Sequence, residues 1–268
     1  MERMKTVEID GARVAYQVDG TGPGLVLIHG TGGNAETNWG HLVPALARHW
    51  TVVRPDYSGS GATRDDGGDL TAERLAAEVV AAAEAAGAVP FDLVGFSLGA
   101  AVAAKIAADY PHLVRRVVLL GAFLDGADPR QRMQFGLWND LIRTDRLAMA
   151  RLILLTGFSP AFLSGLGHNG IAEAIAAIVE DNDWEGMARQ VDLDLAIDIT
   201  EEARRIERPV LVIGCAHDHM VPPAEARAVA AAIPGARYAE LATGHLAALE
   251  QPDAFITLLD DFLRGDRR

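Results

Sequence analysis

The chain has 268 residues, half of them hydrophobic, and a formal net charge of −13 at pH 7. That surplus of acid opposes binding to nucleic acid and to anionic membrane surfaces, and no basic run offsets it. The single cysteine, Cys215, excludes an internal disulfide and a cysteine-rich metal site.

The segment Met1 to Lys5 leads into an alternating run with no apolar stretch of the kind a signal peptide needs. No apolar run along the chain reaches the roughly 20 residues that span a bilayer. With one cysteine, these features predict a protein of the reducing cytoplasm. The charge favours solubility and leaves homo-oligomerisation open.

From Thr6 to Val18 two alternating runs hinge at Asp10-Gly11, which predicts a hairpin. Leu25-Val26-Leu27-Ile28 is continuously apolar, as expected of a strand buried on both faces. A helix is predicted over 39–48, then a buried strand at Thr51-Val52-Val53. Thr71 offers an N-cap to a helix ending at Ala86. Phe91 to Val94 is the next strand, followed by a helix over 98–109, and Val117 to Leu120 is another.

From Phe123 to Arg205 the rhythm breaks. Helical patterns run over 131–141, 146–155 and 171–179, separated by Gly157-Phe158-Ser159-Pro160 and by Gly165 to Gly170. Strand and helix then resume: Val210 to Ile213, a helix over 223–232, a weaker strand from Ala236 to Leu241, and a helix over 252–263. Pro223 and Pro252 suit first helical turns. This alternation predicts an α/β fold, a mostly parallel eight-stranded sheet with helices on both faces. Residues 1–122 and 206–268 form the core domain, with 123–205 inserted as a helical cap.

Chemistry concentrates at Gly95-Phe96-Ser97-Leu98-Gly99, a serine between glycines at a strand-to-helix junction. A sharp turn there lifts the hydroxyl clear of both elements and sets the Leu98 amide at a helix N-terminus, where it can stabilise an oxyanion. A serine nucleophile needs a histidine base, and the histidine needs a carboxylate to fix its tautomer. His245 follows the last strand, and Asp218 follows the strand Val210 to Ile213. In an open parallel sheet such loops share one edge, where ligands bind. The glycine-rich His29-Gly30-Thr31-Gly32-Gly33 lets Thr31 offer its N–H, and also its hydroxyl, as the second oxyanion donor.

These pieces, with Asp56-Tyr57-Ser58-Gly59-Ser60-Gly61, Asp218 before Val221-Pro222, and Gly244-His245, resemble the α/β-hydrolase fold family over essentially the whole chain. The resemblance implies Ser97 as nucleophile, His245 as base, Asp218 as acid, the Thr31 and Leu98 amides as oxyanion hole, and a helical cap after the sixth strand. It implies no cofactor. The serine argues against the family's epoxide hydrolases and haloalkane dehalogenases, which carry aspartate there. Ser58 departs from the proline usual in the family, and Asp218 lies slightly further beyond its strand than the pattern leads one to expect.

The reaction implied is hydrolysis of an ester, lactone or thioester of a small to medium apolar molecule through an acyl-enzyme. Phe123 and Trp138 are candidates for lining the substrate pocket. Activity is expected to fall toward acid pH as His245 takes up a proton. Asp125 is the rival acid. His217 and His219 flank Asp218 but lack a third ligand at metal-binding spacing. Three other readings stay open: carbon–carbon bond hydrolysis, a cyclase or acyl transferase on the same triad, and a silent ligand-binding protein.

Overall fold

The computed structural model describes residues 4–265; Met1 to Arg3, on which the signal-peptide expectation partly rests, lie outside them. Asp10 and Gly11 both take positive φ, 39° and 82°, the two-residue turn whose twist matches a pair of strands. On it close β1 (Lys5–Ile9) and β2 (Ala12–Asp19). The predicted buried runs become β3 (Gly24–Ile28), β4 (Thr51–Asp56), β5 (Phe91–Phe96), β6 (Val114–Leu120) and β7 (Val210–Cys215), with β8 (Arg237–Leu241) at the far edge. The eight strands are ordered β1-β2-β4-β3-β5-β6-β7-β8. The hairpin pairs antiparallel and β2 joins β4 antiparallel; every other pairing is parallel.

Alternate strand residues feed two separate cores, as the period of two requires. Val26, Ile28, Leu93, Val117 and Val212 face helices α3 (Ala72–Ala85), α4 (Leu98–Asp109) and α10 (Pro223–Ala232). Leu25, Leu27, Val94, Val118 and Ile213 face the opposite layer, built from α1 (Ala35–Trp39), α2 (Val43–Leu46) and α12 (Pro252–Arg264). The single helix expected over 39–48 is thus two short ones joined by a 3₁₀ turn at Gly40–Leu42. Gly40 and Pro44 break the continuity, since proline lacks the N–H that an unbroken helix would use.

Five helices fill the segment between β6 and β7: α5 (Pro129–Thr144), α6 (Arg146–Gly157), α7 (Pro160–Asp181), α8 (Trp184–Ala196) and α9 (Thr200–Arg205). The glycine-rich stretch before Ile171 kinks α7 at Gly167 (φ 65°, ψ 179°) and does not end it. By length and composition alone, α7 is the one helix among the described residues apolar enough to cross a bilayer. That departs from the expectation that no run is long enough. Its apolarity has a local reason, because Ala174 and Ile178 line the cavity described below. Helices α8 and α9 were not foreseen. The latter packs on α4 and α10, in the helical layer of the core.

Candidate active site

Ser97 sits at φ 55°, ψ −121°, a backbone region that side chains rarely occupy, between the last residue of β5 and the first of α4. The flanking glycines make the turn possible. A Cβ on Gly95 would lie 2.2 Å from the Gly99 carbonyl oxygen, and one on Gly99 would lie 2.3 Å from that of His29. Both obstacles are backbone, so Gly99→Ala is expected to cost about 2–3 kcal/mol of stability, read by denaturant unfolding. A cost near zero would mean that the elbow is looser than described.

His245 follows β8 and is 3% exposed. Its Nδ1 lies 2.6 Å from Asp218 Oδ2, and Asp218 Oδ1 accepts the amides of Met220 and Val221, both at 2.8 Å. The carboxylate is therefore immobile, and it fixes the imidazole with Nε2 on the opposite edge. Gly121, at the end of β6, takes φ 58°, and a Cβ there would lie 2.8 Å from His245 Cε1. The Phe96 ring closes over the imidazole at 4.7 Å. Glu250 accepts from the Gly244 amide and from the Ser159 amide and hydroxyl, tying the histidine loop to the start of α7. Asp125 instead accepts from the Ala127 amide in a local turn.

The loop after β3 is held from two sides. The Gly30 amide donates to Asn38 Oδ1 at 3.0 Å, and the Gly32 amide to Gln190 Oε1 at 2.8 Å. The hydroxyl oxygen of Thr31 lies 2.7 Å from Asp194 Oδ2. Among the described residues no protein acceptor takes the Thr31 or the Leu98 amide. Beneath the loop the ring of His29 stacks on Tyr57 at 3.9 Å, and burial, the largest influence on it, pulls its pKa down so that it stays neutral. Ser58 is explained by its partner: its amide and hydroxyl bind the buried Glu78 carboxylate, a role proline cannot fill.

Ser97, His245, Thr31 and Trp138 line one cavity of about 340 Å³, with Phe135, Leu154 and Ile178 among its apolar walls. Phe123, expected at the pocket wall, does not line the cavity. It is buried in the core beneath the cavity, its ring 6.0 Å from that of Phe135, which takes the lining position expected of it. Cys215 is buried below the site; burial, first among its influences, raises its thiol pKa, which makes it inert. Among the described residues no group of three His, Cys, Asp or Glu is placed to hold a metal.

The residues missed from sequence lie on α8. Gln190 bridges Gly32 to the Gly59 carbonyl, Asp194 meets Thr31, and Met187 lines the cavity. A signal for the helix was present, with Asp183 as N-cap before apolar residues at 184, 187, 188 and 191. Gln190 and Asp194, four apart, then share a face.

Comparison with known proteins agrees with this architecture. A profile of the alpha/beta hydrolase fold matches residues 23–252. The chain is 65% identical over 263 residues to the pyrrolizixenacetamide deacetylase of Xenorhabdus hominickii, covering 98% of this chain and 99% of that protein. It is 28% identical over 257 residues to the 2-hydroxy-6-oxo-2,4-heptadienoate hydrolase of Pseudomonas putida, covering 92% and 91%. The crystal structure of the enol-lactonase from Burkholderia xenovorans LB400 superposes with a TM-score of 0.85 at 27% identity, covering 97% of this chain and 99% of that one. Profile, relatives and sheet topology together lead to one conclusion: the chain belongs to the α/β-hydrolase fold family.

Proposed function

We propose that this chain is a serine hydrolase that removes a short acyl group, such as acetyl, from an amide or ester of an uncharged, apolar molecule. The observation that carries the reading is the cavity itself. It brings Ser97 and His245 to one small, largely apolar space, and none of its lining residues is a lysine or arginine. An anionic substrate would therefore meet no counter-charge in its wall. Similarity to a deacetylase at 65% identity adds amides to the esters, lactones and thioesters expected from sequence.

In this mechanism His245 Nε2 accepts the Ser97 proton as Oγ attacks the acyl carbonyl. The Thr31 and Leu98 amides hold the oxyanion. The tetrahedral intermediate collapses with cleavage of the C–N or C–O bond, and the histidine proton passes to the leaving nitrogen or oxygen. Water, deprotonated by the same histidine, then attacks the acyl-enzyme and releases the carboxylic acid. The helices over the sheet edge act as the cap that shapes the pocket.

Carbon–carbon bond hydrolysis fits less well. A dienoate carries a carboxylate, and this cavity provides no cation to meet it. The test offers 4-nitroacetanilide and a series of 4-nitrophenyl esters. Release of acid and amine or phenol in equal amounts, best for the shortest acyl chains, is the expected result. Absence of acyl release from every amide and ester, with dienoate release from a ring-fission product, would overturn the reading.

A further inference from the structure

We infer that Asp194 serves the reaction as a neutral acid: its carboxyl donates to Thr31 Oγ1, which frees the Thr31 hydroxyl proton to bind the oxygen of the acyl group. The inference rests on the acyl-enzyme reading above and adds to it a third oxyanion donor and a residue that positions it.

Asp194 lies on the inner face of α8, lines the cavity and is 1% exposed. Oδ2 is 2.7 Å from the Thr31 hydroxyl oxygen, and Oδ1 is buried without a partner. No cation faces it. One turn back, Gln190 is neutral and spends both ends of its amide on Gly32 and Gly59. On α5, which packs against α8, Asn139 and Arg143 turn to Asp192 instead. From the end of β4 and its loop come Asp56 and Tyr57, and the Tyr57 phenol is itself pushed up by burial, then by Asp194 and Asp56. Across the cavity stands His245. Burial therefore dominates and raises the Asp194 pKa to about 8, with the Thr31 hydrogen bond the only opposing influence.

A neutral carboxyl has one proton, and its place follows from the partners. On Oδ1 it would be a buried donor with no acceptor; on Oδ2 it meets Thr31 Oγ1. The acid then donates, Thr31 accepts, and the threonine's own proton is free to turn into the cavity. Ionisation reverses this bond. Thr31 must then donate to the carboxylate, and a full negative charge stands beside the site where the oxyanion forms. Both consequences slow acylation, so the rate should fall on the alkaline side.

The test measures kcat for 4-nitrophenyl acetate from about pH 6 to about pH 9.5, corrected for spontaneous hydrolysis. The wild type is expected to lose rate above about pH 8. Asp194→Asn keeps a donor to Thr31 but cannot ionise: kcat at pH 7 is expected to fall about three- to tenfold, and the alkaline loss to disappear. Thr31→Val is expected to lose about 10²-fold in kcat at pH 7 and to keep only the part of the alkaline loss that the Asp194 charge causes, and Thr31→Ser to restore both rate and profile. A second readout is thermal. Folded Asp194 keeps a proton that the unfolded chain gives up, so wild-type stability falls relative to Asp194→Asn as pH rises from about 4 to about 8.

An alkaline limb that survives in Asp194→Asn would overturn the inference, as would a difference in Tm that does not change with pH. A wild type that turns over and is labelled at Ser97 but shows a flat alkaline profile overturns this inference alone. A wild type with neither turnover nor label at Ser97 overturns the acyl-enzyme reading as well.

Discussion

Ser97→Ala is expected to lower kcat by about 10⁴- to 10⁶-fold on any ester or amide that the wild type cleaves. The hydroxyl is the only group the substitution removes. The turn that presents it depends on the glycines at 95 and 99, where an added Cβ would strike backbone. The variant should therefore keep its fold and its cavity. Substrate should still bind, with KM changed far less than kcat, because the apolar walls and the Thr31 and Leu98 amides are untouched. Turnover near that of the wild type would show that water or another side chain attacks the carbonyl. Parallel rates for the two proteins, with matched Tm values, decide the point.

The second large effect is expected at Asp218. Asp218→Asn preserves shape, yet kcat should fall by about 10⁴-fold. The structure gives the reason. Oδ1 of Asp218 accepts two amides, from Met220 and Val221, so the amide oxygen of an asparagine must stay on that side. Its NH₂ group then faces His245 Nδ1, where the carboxylate now accepts at 2.6 Å. Nδ1 must become the acceptor, and the ring proton moves to Nε2. A histidine in that tautomer cannot take the serine proton. If Asp218→Asn instead lost less than tenfold, the tautomer would not be set by this pair.

How much of this was legible in the sequence depends on the range of the interaction. The hairpin was legible because Asp10-Gly11 satisfies a two-residue turn by itself. The buried strands were legible because continuous runs such as Leu25 to Ile28 must be covered on both faces, and both layers are present. The pairing of His245 with Asp218 followed from strand-end loops sharing one edge of a parallel sheet.

The insert was harder to read. Its helices are specified by what they cover, and that lies far away in sequence. Asp194 meets Thr31 across 163 positions, and Gln190 meets Gly32 across 158. Nothing local marks either residue as more than a polar position on an amphipathic helix. Phe123 shows the same limit from the other side. A residue soon after β6 is near the site in sequence, but its side chain is buried in the core and Phe135 stands at the cavity wall.

The close seating of α8 also explains why small residues recur at its junction with the loop after β4. A Cβ on Gly186 would fall 2.1 Å from the Gly59 carbonyl oxygen. That contact brings Gln190 and Asp194 within hydrogen-bond reach of the loop that carries Thr31. Helix α8 and the loop that carries Thr31 are one mechanical unit, so the insert contributes walls to the cavity that Ser97 and His245 line.

The most direct measurement is covalent labelling with a 4-nitrophenyl alkylphosphonate, which a serine hydrolase attacks as it would an ester. Intact mass and peptide mapping then locate the adduct. One phosphonyl group per chain, on the peptide that contains Ser97, with activity lost in proportion, is the predicted result. Full activity in labelled protein, or an adduct confined to another residue such as Cys215, would contradict it.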